Sequence, residues 1–281
     1  MRKEFCSLMA LEFSERFDPI DLSDPALEPG HLRNLTFHSP ALKGRGDVSL
    51  YVPPQCAALT NVPLVILLHG VYGSHWAWFM KGAAHLTAQR LIEDGSIRPM
   101  LIAAPSDGLR GDGSGYLPYP DADYERWIAE DVIDCIRRLF PCIGPSGPIC
   151  IAGLSMGGYG ALRLGMKYPE RFHAISAHSS ITHISQFAHI FTRHSMHEER
   201  LAAEETNLLY WARLHAHLLP LLRFDCGRND PLFSANVQLH RDLEALSVEH
   251  EYAEFEGAHT WEYWKTHLVD TLLFFERTLV T

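Results

Sequence analysis

Residues 148–169 read PICIAGLSMGGYGALRLGMKYP, and this stretch decides the fold class. A short apolar run leads into the G-x-S-x-G of residues 153–157, and a helical pattern follows as far as Pro169. A strand that turns sharply into a helix at such a site holds the serine hydroxyl at the carboxyl end of a sheet. The flanking positions suit glycine because a β-carbon there would collide with a neighbouring strand or helix. Ser155 is therefore the candidate nucleophile, the alternative being a plain tight turn whose serine caps a helix.

Strand-like and helix-like segments alternate on both sides of this stretch. Continuous apolar runs at 64–68 and 149–152 are typical of strands buried on both faces of a sheet. Further strands are predicted at 32–38, 47–52, 100–104, 172–177, 221–226 and 252–255, and helices at 81–94, 124–140, 155–168, 231–246 and 261–279. This order indicates an α/β fold with a mostly parallel, eight-stranded sheet and helices on both faces.

Two segments depart from this alternation. Residues 18–30, rich in Pro and Asp, are predicted to be an irregular lead-in. Residues 181–220 are rich in histidine and are predicted to be a helical insertion and a candidate lid. The whole chain, 1–281, is predicted to form a single domain around one sheet.

A serine hydroxyl needs a base that removes its proton, and the base needs a carboxylate that orients it. In an α/β chain of this kind the acid and then the base follow the serine. Asp230 comes just after the strand at 221–226, and His259 lies between the last strand and the last helix. Asp225 falls inside the strand and is expected to point sideways. The alternatives are that Asp230 only caps the helix beginning at Pro231 and that His259 is an ordinary member of a set of 17 histidines.

The negative oxygen of a tetrahedral intermediate needs hydrogen-bond donors. The backbone N–H of Met156, directly after the nucleophile, is one candidate, and the loop after the strand at 64–68 supplies the other. In that loop Val71 is the first choice and Tyr72 the second. Aromatic side chains near these loops either line a substrate pocket or pack the core, and the pocket candidates are Tyr72, Trp76, Tyr159 and Trp261.

Composition excludes several classes of protein. Hydrophobic residues make up 47% and charged residues 21%, which is ordinary for a globular protein and unlike a disordered one. Lys and Arg number 24 against 34 Asp and Glu, a net charge of −10, so nucleic acid is not the expected partner. No apolar stretch approaches the 18 residues of a membrane span. Acidic residues soon after the N-terminus interrupt any signal peptide, so the cytoplasm is the expected location.

The cysteines and histidines give no metal signature. No two of the cysteines have C-x-x-C spacing, so reduced thiols in the core are predicted for Cys6, Cys56, Cys135, Cys142, Cys150 and Cys226. His194-x-x-His197 has helical spacing but lacks a nearby acidic or cysteine partner. The sequence therefore predicts neither a metal nor an organic cofactor, and it leaves self-association open.

Several separated blocks of the chain together resemble one family. They are FHSPALKG and VSLYVPP within 37–54, LLHGVYGSHWAW at 67–78, WIAEDVIDCI at 127–136, AGLSMGGYGALRLGMKYPERFHAISAHSS at 152–180, DCGRNDPLF at 225–233 and EGAHTWEYW at 256–264. From about Phe37 to Thr278 the chain is similar to the esterase D-like “putative esterase” family of α/β-hydrolases. The resemblance implies an α/β-hydrolase fold, with the nucleophile at Ser155, the acid at Asp230, the base at His259 and oxyanion donors at Met156 and Val71.

The resemblance also implies a reaction class. The blocks around Ser155 and His259 look more like the tributyrin and feruloyl esterase branch than the S-formylglutathione hydrolase branch, which usually has a histidine where Tyr159 stands. A serine esterase that hydrolyses short-chain carboxylic esters, and thioesters with them, is the resulting hypothesis, with a small-molecule ester as the partner. S-formylglutathione hydrolysis and acyl transfer to an alcohol are alternatives of the same chemistry. A catalytically inert binding module is the alternative from another class.

Overall fold

The fold is known from a computed structural model that describes residues 16–187 and 201–280. Its strands form one nine-stranded sheet in the order β1-β2-β3-β5-β4-β6-β7-β8-β9. The strands are β1 (Ile20–Leu22), β2 (Leu32–Ser39), β3 (Gly44–Tyr51), β4 (Leu64–Leu68), β5 (Leu101–Pro105), β6 (Ile149–Leu154), β7 (Ala174–His178), β8 (Leu221–Gly227) and β9 (Glu251–Phe255). From β5 to β9 neighbouring strands are parallel, whereas β1, β2, β3 and β5 pair antiparallel.

The prediction of eight strands was wrong by one strand. The additional strand is β1, whose Ile20 pairs with Phe37 of β2 at the antiparallel edge of the sheet. It lies in the stretch predicted to be irregular. Three residues with an aspartate in the middle are too few to show an alternating apolar pattern, so only pairing with β2 defines this strand.

Helices cover both faces of the sheet. They are α1 (Ala77–Met80), α2 (Ala84–Glu93), α3 (residues 124–139), α4 (Met156–Lys167), α5 (Ala203–Thr206), α6 (Leu208–Leu214), α7 (Phe233–Ala245) and α8 (Trp261–Thr278). Apolar side chains of α3, α4, α6 and α7 pack into one buried cluster, and those of α1, α2 and α8 pack into a second. The sheet therefore has a hydrophobic layer on each face, as its continuous apolar strands predict. Across the residues described, no helix has both the length and the apolar character needed to cross a membrane.

Helices α2 and α3 depart from the sequence prediction. Helix α2 begins at Ala84 rather than at 81, because Ala83 has a left-handed backbone with φ of 51° and the helix cannot extend through it. Helix α3 contains a π-helical segment, Trp127–Val132, between its two α-helical ends. A single π turn shifts the apolar register by about one residue, which is too little to disturb the spacing of Ile128, Val132 and Ile136, so the sequence pattern does not show it.

A buried ionic cluster joins helix α4 to the segment after residue 200. Arg163 of α4 is fully buried and pairs with Glu125 and Glu205. Lys167 Nζ lies 2.8 Å from Glu125 Oε1 and 2.6 Å from Glu205 Oε1. Helix α6 packs against α4 beside this cluster. The part of the predicted insertion that the structure describes therefore packs against α4. Residues 188–200, with His194 and His197, lie outside the described residues. The lid remains a prediction.

Candidate active site

The turn at Ser155 has the strained geometry that the glycine spacing predicts. Ser155 links β6 to α4 with φ of 53° and ψ of −117°, a conformation that few residues other than glycine adopt. A β-carbon on Gly153 would lie 2.1 Å from the Gly157 carbonyl oxygen, and one on Gly157 would lie 2.2 Å from the Leu68 carbonyl oxygen. These distances are far below a van der Waals contact, so only glycine fits at either position.

Three side chains from three separate loops meet above this turn. Ser155 Oγ lies 3.0 Å from His259 Nε2, and His259 Nδ1 lies 2.8 Å from Asp230 Oδ2. Ser155 follows β6, Asp230 follows β8 and His259 follows β9, so all three stand at the carboxyl edge of the parallel strands. The structure thus brings together the nucleophile, acid and base that the sequence indicates.

The carboxylate of Asp230 has two separate partners. Its Oδ1 accepts the Leu232 backbone N–H at 2.8 Å, while Oδ2 faces the His259 imidazole. Its side chain is fully buried, and the His259 side chain is 26% exposed. Asp230 therefore holds the turn before α7 and also orients the imidazole, so the capping alternative describes only one of its two contacts.

The loop after β4 lies directly against the nucleophile. A β-carbon on Gly70 would lie 2.7 Å from Leu154 Cδ1 and 3.3 Å from Ser155 Cβ. The Tyr72 N–H donates to the Asp112 carbonyl oxygen at 3.3 Å, whereas no described carbonyl oxygen accepts the Val71 N–H. The Met156 N–H stands in the first turn of α4, where a helix offers no acceptor. Of the two candidates in the loop, Val71 is thus the one whose backbone N–H is not already donated to a described carbonyl oxygen.

His69 fixes the orientation of this loop, a role that the sequence reasoning missed. The Asp107 N–H donates to His69 Nε2 at 3.3 Å, so the ring proton sits on Nδ1 and is donated to the Gly70 carbonyl oxygen at 2.8 Å. Gly70 C=O and Val71 N–H belong to one planar peptide group. The His69 ring therefore sets the direction of the Val71 N–H.

A cavity of about 400 Å³ opens at Ser155 and His259. Its walls are mainly apolar and aromatic, and three of the four predicted pocket residues, Tyr72, Trp76 and Trp261, line it together with Trp264. Its other lining residues are Gly70, Val71, Gly73, Ala77, Lys81, Leu154 and Thr260. This volume suits a small ligand.

The fourth predicted pocket residue, Tyr159, belongs to the core instead. Its side chain is fully buried, its hydroxyl donates to the Thr206 carbonyl oxygen at 2.8 Å, and its ring packs edge-on against Phe187. The reason is helical geometry: Tyr159 stands one turn into α4, on the face that packs toward α5, rather than on the exposed end of the helix beside Ser155.

A second buried His–Asp pair lies beneath the site. His178 ends β7, and its Nδ1 lies 2.9 Å from Asp225 Oδ2, while its backbone carbonyl oxygen accepts the Ser155 N–H at 2.9 Å. Tyr263 donates its hydroxyl to Asp225 Oδ1 at 2.8 Å, and Arg223 donates to Oδ2 at 2.6 Å. Asp225 is thus a buried anchor between strands and helix α8. The expectation that Asp225 lies inside the strand and points sideways agrees with this placement, since its carboxylate contacts His178 of the neighbouring strand β7.

The remaining members of this network close it into a ring. Thr271 Oγ1 lies 2.9 Å from His178 Nε2 and 2.6 Å from Ser176 Oγ, and Arg223 Nη1 donates to Ser176 Oγ at 3.4 Å. Burial alone raises the pKa of Asp225, but its contacts with His178, Arg223 and Tyr263 outweigh burial and hold that pKa at about 2. Burial of the Tyr263 hydroxyl, together with the neighbouring Asp225 charge, raises the pKa of this hydroxyl far above its ordinary range. The ring therefore keeps one carboxylate charged inside the protein beneath Ser155.

The described cysteines are free thiols: Cys56, Cys135, Cys142, Cys150 and Cys226. Burial raises the pKa of the Cys135 thiol to about 12, and it raises the pKa of Cys150 further. Such thiols stay protonated at neutral pH and are poor nucleophiles. Within residues 16–187 and 201–280, no three His, Cys, Asp or Glu side chains are grouped so as to hold a metal ion; Cys6 lies outside these residues.

Comparison with known proteins identifies the family. The model of the family described as “putative esterase” matches residues 39–275. The chain belongs to this family. The family places a serine carboxylic-ester hydrolase on an α/β-hydrolase fold, and it confirms the enzyme class and the fold predicted from the sequence.

Proteins that are similar to this chain have names that refer to different substrates. An acetyl esterase from Caldicellulosiruptor saccharolyticus is 28% identical over 75% of this chain and 82% of its own length. An S-formylglutathione hydrolase from Paracoccus denitrificans is also 28% identical, over 49% of this chain and 53% of its own length. Among solved structures, a fluorophosphonate-binding serine hydrolase from Staphylococcus aureus has a TM-score of 0.75 at 20% identity, over 88% of this chain and 98% of that one.

Proposed function

We propose that this esterase hydrolyses short-chain carboxylic esters through an acyl-enzyme on Ser155. The observation that carries the proposal is the unbroken hydrogen-bonded series from Ser155 Oγ through His259 to Asp230, at 3.0 and 2.8 Å. These lengths are within the range over which a proton passes between a nucleophile and its base.

Each member of the series then has one task. Ser155 Oγ attacks the ester carbonyl carbon as His259 Nε2 takes its proton. The tetrahedral intermediate collapses as His259 returns that proton to the leaving alcohol, and an acyl group remains on Ser155. Water, activated by the same imidazole, releases the carboxylic acid. Asp230 holds Nδ1–H throughout and stabilises the imidazolium that forms in each half-reaction.

The Val71 and Met156 N–H groups supply the oxyanion donors in this proposal. They flank Ser155 from the loop after β4 and from the start of α4. Two donors fixed in advance stabilise the negative oxygen without reorganisation, and loss of one such donor typically slows catalysis by about 10²–10³-fold.

The cavity supports a short acyl group. A volume of about 400 Å³ that must hold both sides of the ester leaves little room for a long chain. The relative named acetyl esterase agrees with this size. Thioesters present the same reacting carbonyl and belong within the proposal. Action in the cytoplasm is proposed on the sequence alone.

The experiment is to treat the purified protein with a fluorophosphonate probe and with p-nitrophenyl acetate, beside Ser155→Ala, His259→Ala and the control His183→Ala. His183 is an exposed histidine outside the pocket. We expect Ser155→Ala to lose labelling, and both site variants to lose at least about 10³-fold in turnover. His183→Ala should match the wild type. A wild type that neither labels nor turns over would overturn the proposal and favour the binding module.

An added acceptor alcohol separates hydrolysis from acyl transfer. Formation of a new ester at the expense of the free acid would identify a transferase. An acyl series from acetate to octanoate tests the size of the pocket, and activity that rises with chain length would contradict the short-chain preference.

A further inference from the structure

The pocket beside Ser155 is lined by one lysine, Lys81, whose positive charge has no role in the proposed reaction. Among its described lining residues, Lys81 is the only one that carries a permanent positive charge, and no Asp or Glu lines the pocket. Its ammonium group lies 5.3 Å from the centroid of the Trp261 ring, which forms another part of the same wall. Trp261 begins α8 only two residues after His259. A cation therefore stands over an aromatic wall close to the base.

The backbone next to Lys81 packs closely against Trp78 and Trp261. A β-carbon on Gly82 would lie 2.7 Å from the Trp78 carbonyl oxygen and 3.0 Å from Trp261 Cζ3, so the chain runs tightly against the indole there. Trp78 is fully buried and packs edge-on against Trp261. Lys81 thus projects from a fixed segment, although its side chain is exposed.

Lys81 has no anionic partner among the described residues. None of the described ion pairs includes it, although the chain has ten more acidic than basic residues. An ammonium group beside an aromatic face keeps its donors available for an incoming anion. The Lys81 ammonium therefore has the Trp261 ring as its described partner and no carboxylate.

From this arrangement we propose that Lys81 selects esters that carry a carboxylate, on either the acyl or the alcohol part. The proposal rests on the proposed esterase function and names the substrate class of the same site. The ester carbonyl is placed at Ser155, the apolar part of the substrate lies against the tryptophans, and its carboxylate pairs with the Lys81 ammonium. Hemiesters of dicarboxylic acids carry the carboxylate on the acyl part, and acyl esters of hydroxy acids, such as hydroxybenzoic acids, carry it on the alcohol part.

The test measures the ratio of kcat/KM for an anionic ester to that for its neutral methyl ester. The acyl-side pair is mono-4-nitrophenyl adipate and 4-nitrophenyl methyl adipate. The alcohol-side pair is 4-acetoxybenzoate and methyl 4-acetoxybenzoate. Because both substrates of a pair meet the same enzyme sample, the ratio does not depend on how much of a variant is folded. The proteins are the wild type, Lys81→Gln, Lys81→Arg and the matched control Lys265→Gln, an exposed lysine of α8 outside the pocket.

We expect Lys81→Gln to lower the ratio by about threefold to tenfold for at least one pair, since exposed ion pairs contribute at the low end of this range and an aromatic wall adds to it. Lys81→Arg should keep most of the ratio, Lys265→Gln should leave it unchanged, and 0.5 M NaCl should reduce it in the wild type. The pair that responds shows which side of the ester carries the carboxylate. An unaltered ratio in Lys81→Gln for both pairs, with neutral esters still cleaved, would overturn the role of Lys81 alone. Absence of any ester cleavage and of fluorophosphonate labelling in the wild type would instead overturn the proposed function.

Discussion

Gly157 shows how the shape of a single residue position supports the site. The Leu68 carbonyl oxygen occupies the space that a β-carbon would need, 2.2 Å away. We expect Gly157→Ala to lower the free energy of unfolding by about 1–3 kcal/mol, because the strand and helix must separate to admit the methyl group. Urea unfolding measures this change.

Gly44 provides the control for that measurement. A β-carbon there would meet nothing closer than 3.8 Å. Gly44→Ala should therefore change the free energy of unfolding by less than about 0.5 kcal/mol. Equal losses in the two variants would mean that the contact at Gly157 does not determine the result.

The ring of His69 is predicted to act on turnover through the Val71 peptide group. His69→Gln removes the Nδ1 donor to Gly70, whereas His69→Asn keeps a donor near the Nδ1 position. We expect kcat to fall by about tenfold or more in His69→Gln with little change in KM, because a misdirected oxyanion donor acts on the transition state.

Steady-state kinetics on p-nitrophenyl acetate provides that measurement. Partial recovery of kcat in His69→Asn would separate the hydrogen bond from simple loss of the ring. If KM rises and kcat stays constant in His69→Gln, then the ring acts on substrate binding and the prediction is wrong.

At the scale of the element, helix α8 is fastened to the sheet by polar contacts as well as by its apolar face. Thr271 bonds to both His178 and Ser176. Thr271→Val removes the described partner of His178 Nε2 and one of the two partners of Ser176 Oγ, so we expect the free energy of unfolding to fall by about 1–3 kcal/mol. Thr266→Val, on the exposed face of the same helix, is the matched control and should cost less than about 0.5 kcal/mol. Guanidinium unfolding measures the free energy of unfolding of the two variants. Similar decreases in both would contradict a special role for Thr271.

The sequence predicts elements well where a local pattern defines them. Strand β4 is predicted with its observed bounds because five consecutive apolar residues show that both faces are buried. Ser155, Asp230 and His259 could be found because each follows a predicted strand. The pair His178 and Asp225 could not be found, because it depends on the register between β7 and β8, which places these two residues opposite each other. Such a register is set by packing across the sheet rather than by a local pattern.

At the scale of the whole molecule, the charged state of Asp225 links stability to pH. Its pKa is about 2 in the folded protein, below its ordinary value of 3.8. A lowered folded pKa gives stability that is present above the unfolded pKa and is lost as the pH falls through the folded value. We expect Asp225 to contribute about 2–3 kcal/mol at neutral pH and progressively less between about pH 4 and pH 2.

Unfolding measured from pH 7 to pH 2 checks this expectation. The difference between the wild type and Asp225→Asn should shrink on acidification over that interval. A difference that stays constant down to pH 2 would show that the carboxylate charge is not the source of the stability.

The order in which the site residues occur along the chain has a consequence for synthesis. Ser155 and the loop after β4 come early, whereas the base arrives only after β9, and that strand can pair only once β8 is in place. If Ser155 and His259 act as proposed, a nascent chain that has folded as far as β8 holds the nucleophile without its base and does not cleave esters. Cleavage then begins only when β9 docks and His259 reaches Ser155. In refolding of the complete chain, docking of β9 as the last step would make ester cleavage lag behind the recovery of helical circular dichroism; if the two signals rise together, then the sheet closes in one step.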